Sequence, residues 1–231
     1  MAKKLPVYLE SGDKRVFAAA LDWPGWARSG RTPADALAAL VAAGPRYAAA
    51  VAKAAPSFAA PKDTSELEVV HRFGGDAGTD FGVPGRSPDE DKQPIGPAEA
   101  KRLAAILQGS WAAFDAAANA ARGIELRKGP RGGGRDLDRI VAHVAEAEEA
   151  YVNQAGAKRS VVGRGTGDAT ARRRAAVLEV LATKASGKPL PEPNNVGKPW
   201  NARYFVRRTA WHVLDHAWEI EDRVRPEPEP G

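Results

Sequence analysis

The chain has 231 residues, 43% hydrophobic and 27% charged, with a formal net charge of +5. This is the make-up of one large or two small globular domains, and so small a basic excess, spread along the chain, argues only weakly for a phosphate-bearing partner. There is no cysteine, which excludes disulfides, thiolate ligands and a thiol nucleophile of the chain's own. The opening "MAKKLPVYLES" lacks the apolar run of a signal peptide. The Ala-rich region 36–55 is cut by "GPR" and falls short of the roughly 20 apolar residues of a membrane span. A cytoplasmic protein with no membrane partner is expected.

Two extended runs, "LPVYLES" (5–11) and "KRVFAAAL" (14–21), flank the turn-forming "GDK", and "DWPGWARSG" adds a turn and a third short strand. "TPADALAAL" then opens a helix: Thr32 caps it, Pro33 suits the first helical position, and Asp35 completes an acidic variant of the capping box. Gly44-Pro45 is expected to break this helix, with "RYAAAVAKAA" continuing as another, and "ELEVVHRF" (66–73) alternates like a closing strand. The order "VYLE", "DWPGW", "SGRTPADALAAL" resembles the HicB-like antitoxin fold over about residues 5–73. That resemblance implies a small α/β domain. No DNA-reading ribbon or helix-turn-helix accompanies it, so nucleic acid is not expected as a partner, whereas a protein partner is compatible with it.

Residues 74–96, rich in Gly, Asp and Pro without an apolar period, read as an interdomain linker. Beyond it the pattern is helical. Leu103, Ile106, Leu107, Trp111, Phe114 and Ala118 form one stripe; Asp136 caps a second helix with Ile140, Val144, Ala147 and Tyr151 inward. "DATARRRAAVLEVLATKAS" makes a third helix, whose basic run 171–176 reads as a solvated face, and a fourth runs from about Asn201 to Arg223. Four such helices predict a bundle. The expected fold is thus α+β in two domains, with residues 1–73, a linker at 74–96, a four-helix bundle at 97–225 and a disordered Pro-rich tail at 226–231.

Only four histidines occur. His212 and His216, four apart on the last helix, share one face and can chelate one ion, and His143 sits beside the apolar stripe of the second helix, facing inward. Three imidazoles from two helices would leave open coordination positions; the plainer reading is three core histidines that are merely hydrogen-bonded. His71, on the closing strand, reads as structural. Asp215 and Glu219 flank the pair and can orient a ligand imidazole, or else pair with Arg208 or Arg223. Trp211 and Trp218 read as packing residues. The zinc-protease helix is excluded because Val213, not Glu, follows the first histidine. Di-iron bundles are excluded because Ile140, Thr209 and Val213 stand three residues before the histidines.

"DLDRIVAHVAEAEEAYV" with His143 and "HVLDHAWEIEDR" with His212 and His216 resemble the DinB-like (YfiT-like) four-helix family, over roughly residues 97–223. The resemblance implies a divalent metal, zinc or nickel foremost, on His143, His212 and His216, and a metal-dependent thiol S-transferase or hydrolase activity. A low-molecular-weight thiol would be the co-substrate of an electrophile, since the chain has no thiol. A reading of another class is a non-catalytic interaction protein, stabilised by the metal, whose HicB-like domain binds a protein partner. A homodimer is compatible with either.

Overall fold

The computed structural model describes residues 4–53, 56–128, 134–163, 167–190 and 192–224. The tail at 226–231 and much of the connection at 129–136 lie outside the described residues. The protein is α+β: strands β1 (Leu5–Ser11), β2 (Val16–Ala20) and β3 (Ala27–Gly30), helix α1 (Pro33–Val51), strand β4 (Leu67–Gly74), a short helix α2 (Ala77–Phe81), then helices α3 (Pro97–Ala120), α4 (Leu137–Gln154), α5 (Ala169–Ala185) and α6 (Ala202–Val224).

The sheet order is β3-β2-β1-β4, with β1 antiparallel to β2 and parallel to β4. All five residues of β2 are buried, as expected of a strand covered on both faces. Val7, Leu9, Ala18 and Ala20 belong to the main core on the α1 side, while Tyr8, Phe17, Ala19 and Ala27 meet Trp211 of α6 on the other. The helix α1 begins as its sequence demands: Thr32 accepts from the Asp35 backbone and Asp35 accepts from that of Thr32.

The expected break at Gly44-Pro45 does not occur, because α1 runs through both residues. An interior proline costs about 3 kcal/mol, but Ala36, Leu40, Ala43, Tyr47 and Val51 bury one continuous face on either side of it. Pro45 itself is on the exposed side, where a carbonyl deprived of its donor can turn to water.

The segment 74–96 has no regular period, yet it is firmly seated. Glu10, wholly buried on the second face of the sheet, accepts from Thr79 Oγ1 (2.5 Å) and from the backbone of Gly85 and Arg86 (2.9 Å each). Asp91 forms a two-pronged ion pair with Arg207 of α6 at 3.0 and 2.7 Å. One hydrophobic core runs from Val7 and Leu40 through Leu103 and Ile140 to Leu214.

The last four helices close a ring of neighbours, α3 against α6, α6 against α4, α4 against α5 and α5 against α3. Helix α4 keeps Ile140 and Val144 of its expected stripe in the core, but its later turns bury Glu148, at 1% exposure, and Val152, with Ala147 and Tyr151 half-buried beside them. Glu148 accepts from Trp111 Nε1 and, at 2.7 Å, from Arg173 Nε. The basic run of α5 is therefore not simply a solvated face, since Arg173 is buried in this pair and Arg174 grips Asp115 of α3 with two bonds of 2.7 Å. Paired guanidinium groups can be buried where free ones would be too costly to desolvate. No helix among the described residues is long and apolar enough to cross a membrane.

Candidate metal centre

Helix α6 is buried almost all round, so what it carries is set by its packing. Its Trp211 edge meets Phe17 of the sheet at 6.2 Å between ring centres, and its Trp218 lies under the Arg28 guanidinium at 4.0 Å. Both tryptophans are packing residues. Gly25 lies against α6, and a Cβ there would be 2.9 Å from that of Ala210. Its φ of +94° is also one that glycine alone adopts readily. The tight Pro-Gly turn thus fixes α6 against the sheet.

On the face of α6 toward α4, His212 and His216 stand one turn apart and meet His143. Ring centres are 4.9 Å apart for His143 and His212, 5.0 Å for His143 and His216, and 4.6 Å for His212 and His216. Ligand nitrogens of all three lie within 4.8 Å of one another. The two α6 rings are buried and His143 is half-buried, so the cluster reaches solvent from the α4 side.

The donor set can be tested against a metal. Nε2 of His143 and Nε2 of His212 are 3.2 Å apart. Two nitrogens on one tetrahedral zinc, each about 2.0–2.1 Å from it, would be roughly 3.3 Å apart. Nδ1 of His216 is 2.7 Å from Glu219 Oε2. An ionised carboxylate only accepts, so Nδ1 is the donor and Nε2 is the nitrogen left to face an ion. Glu219 is fixed in turn by Arg223 at 2.9 Å, whose guanidinium also donates to the carbonyls of Arg127 and Arg135. The residues present fit a divalent ion held by three imidazoles.

The electrostatics favour the neutral form of two of the imidazoles, those of His143 and His212. Burial, then the neighbouring His216 and His143, push the His212 pKa well below its usual value. Burial, followed by the charge of Arg135 and by His216, lowers that of His143. For Glu219 burial acts upward, but the hydrogen bond and charge of His216 and then those of Arg223 outweigh it, leaving the carboxyl below its usual range. A neutral imidazole and an ionised carboxylate are the forms in which a ligand and its orienting partner act.

Of the flanking acids, Glu219 is in this group and Asp215 is turned to Arg28 at 3.1 Å. His71 is elsewhere, 2.7 Å from Glu90 and thus binding β4 to the segment that follows. Two neighbours of the cluster carry weight that the sequence did not give them. Tyr151 sets its ring edge-on to His212 at 5.7 Å. Arg208, one turn before His212, lies over Tyr151 and Trp211.

Fold and site together define an α+β protein with a largely buried three-histidine group that can hold a metal ion. No protein-family model matches the chain, and no curated protein or solved structure matches it significantly.

Proposed function

We propose that this is a divalent-metal protein of the DinB-like type, with zinc or nickel on His143, His212 and His216, acting as a metal-dependent thiol S-transferase or hydrolase. Its helices from 97 onward would be the DinB-like bundle and residues 1–73 a HicB-like module. The observation that carries the reading is the convergence of three imidazoles from two helices, one of them oriented by Glu219 and one half-open to solvent. Three protein donors leave room for water or a thiolate on the ion, which would lower the pKa of either. A thiol co-substrate must come from outside, because the chain contains no cysteine.

The test is metal content after stripping and reloading, followed by a screen for metal-dependent thiol conjugation and ester hydrolysis. Each of His143→Ala, His212→Ala and His216→Ala should lose most of the bound ion, and His71→Ala should lose none. If the stripped wild type takes up no divalent ion, or His143→Ala keeps full occupancy, the histidines are core residues that share hydrogen bonds. Full uptake with no turnover in either screen would favour a metal that stabilises an interaction protein.

A further inference from the structure

We infer that Arg208, with the Tyr151 hydroxyl, anchors the carboxylate of a ligand that reaches the three-histidine centre. The inference rests on the metal-centre reading above and adds the chemical class of what binds there.

Arg208 is only 7% exposed. Its neighbour Arg207, buried to the same degree, has Asp91 as a counter-ion. Arg208 has none among the described residues: its bonds run to the carbonyl of Pro84 at 2.6 Å and to the hydroxyl of Tyr151 at 3.3 Å. Both acceptors are neutral. A guanidinium has five N–H groups, and these two bonds leave donors for a further acceptor. Glu10, a buried carboxylate bonded to the same stretch of chain, spends its oxygens on Thr79, Gly85 and Arg86. Buried charges in proteins are usually paired, because leaving water without a partner costs so much. An arginine kept without one is suited to a partner that arrives from outside.

Position identifies what arrives. Arg208 precedes His212 by one helical turn, about 6 Å along the axis, and Tyr151 neighbours both: its ring is edge-on to His212 and its hydroxyl accepts from the guanidinium. The Arg208 guanidinium lies over the rings of Trp211 and Tyr151, at 4.9 and 5.6 Å. A planar, rigidly held fork matches a planar carboxylate with two parallel bonds. Nδ1 of His212, also buried, lacks any hydrogen-bond partner, so this corner holds a second unmet group. His143 and Tyr151, both on α4, are the partly exposed members of the group, which puts the approach on that side. The ligand would be a small molecule with a donor for the ion at one end and a carboxylate at the other, long enough to span the one turn from His212 to Arg208.

The experiment uses the full chain loaded with cobalt(II), whose visible bands report thiolate coordination, and tryptophan fluorescence from Trp211 beside Arg208. The probes are 3-mercaptopropionate, 2-mercaptoethanol, and propionate added to the 2-mercaptoethanol complex. The first carries thiol and carboxylate on one molecule; the last separates them, as when the carboxylate belongs to a second substrate. In at least one arm the carboxylate should bind with about tenfold or greater advantage, and Arg208→Gln should abolish that advantage while cobalt content stays at the wild-type level. Should Arg208→Gln fail to fold, Arg208→Lys and Tyr151→Phe replace it, each expected to reduce the advantage by keeping the charge without the fork, or the ring without the hydroxyl. No carboxylate advantage in either arm, or one that survives these substitutions, overturns the inference. Absence of cobalt uptake is read first and by itself: it removes the metal-centre reading and this inference with it, whereas uptake without carboxylate preference removes only the latter.

Discussion

Replacing Asp91 by Asn tests whether segment 74–96 is fastened to the last helix or merely lies between two parts. In the wild type the carboxylate accepts from Arg207 Nε at 3.0 Å and from its terminal nitrogen at 2.7 Å, with the two side chains 1% and 8% exposed. Asn keeps the volume and one acceptor oxygen, but it removes the charge and sets an NH2 group against a guanidinium. Arg207 would retain the carbonyls of Ala20 and Leu21, at 2.7 and 3.0 Å, with its positive charge uncompensated. Breaking a buried ion pair from one side costs about 3–5 kcal/mol, which for a chain of this size lowers the melting temperature by roughly 10 °C. Circular dichroism melts measure this, and limited proteolysis locates it: the wild type should resist cutting between 77 and 92, and Asp91→Asn should open there first. Asp91→Leu with Arg207→Met should recover most of the loss, since an apolar pair of similar size needs no counter-ion. A melting temperature within about 2 °C of the wild type, with segment 74–96 cut first in both proteins, would refute the reasoning and leave a free linker.

Gly25→Ala should lower the denaturation midpoint by an amount equal to at least about 1–3 kcal/mol, the cost of a side chain at positive φ, with the clash against Ala210 added. Gly163→Ala, where no atom lies within 4 Å of the added carbon, is the control, and equal effects of the two would reject the role given to the turn. For the metal-free protein, the depressed pKa values of His143 and His212 mean that the unfolded chain binds protons first as pH falls below about 6.5. Their contribution is complete above that pH and is lost through the folded pKa values. Glu219, also depressed, adds a contribution present above about 4.3 and lost on further acidification. Melting curves should therefore be flat above pH 7 and fall progressively below 6.5, with His212→Ala removing the upper part of the fall; a melting temperature that rises between pH 7 and 5 would contradict the assignment.

How far the sequence could be read depended on the range over which each feature is determined. The caps at Thr32, Asp136 and Asp168 are satisfied within three residues, so their side chains show the helix starts directly. The strands alternate over a few residues, and β2 shows its burial on both faces in its own composition. The seating of 74–96 is different in kind. Its anchors are Glu10 and Arg207, which are 75 residues before Gly85 and 116 after Asp91, and no local period reports bonds made at that distance. Pro45 misled for a related reason: the local penalty is real, but the continuous buried face of α1 outweighs it. In α4 and α5, Glu148 and Arg173 look like ordinary surface charges until the helices are set side by side.

The candidate site divides along the same line, and the division says what kind of evidence each residue needs. His212 and His216 are tied by helical spacing alone, so their shared face was legible. Glu219 follows from the same rule, three residues beyond His216, where it meets Nδ1. Asp215, a single step before His216, is rotated about 100° around the axis, and that step sends it to Arg28 of the sheet. Arg208 falls on the histidine face by the spacing that joins His212 to His216, so its place beside the cluster could be inferred. That no carboxylate among the described residues meets it could not, because that depends on what Pro84, Trp211 and Tyr151 enclose from three parts of the chain. A charge buried without a counter-ion is a property of the whole fold. In this protein it lies next to the one group of described side chains arranged to hold a cation, and a neutral ligand would leave both positive charges uncompensated where an anionic one would answer both.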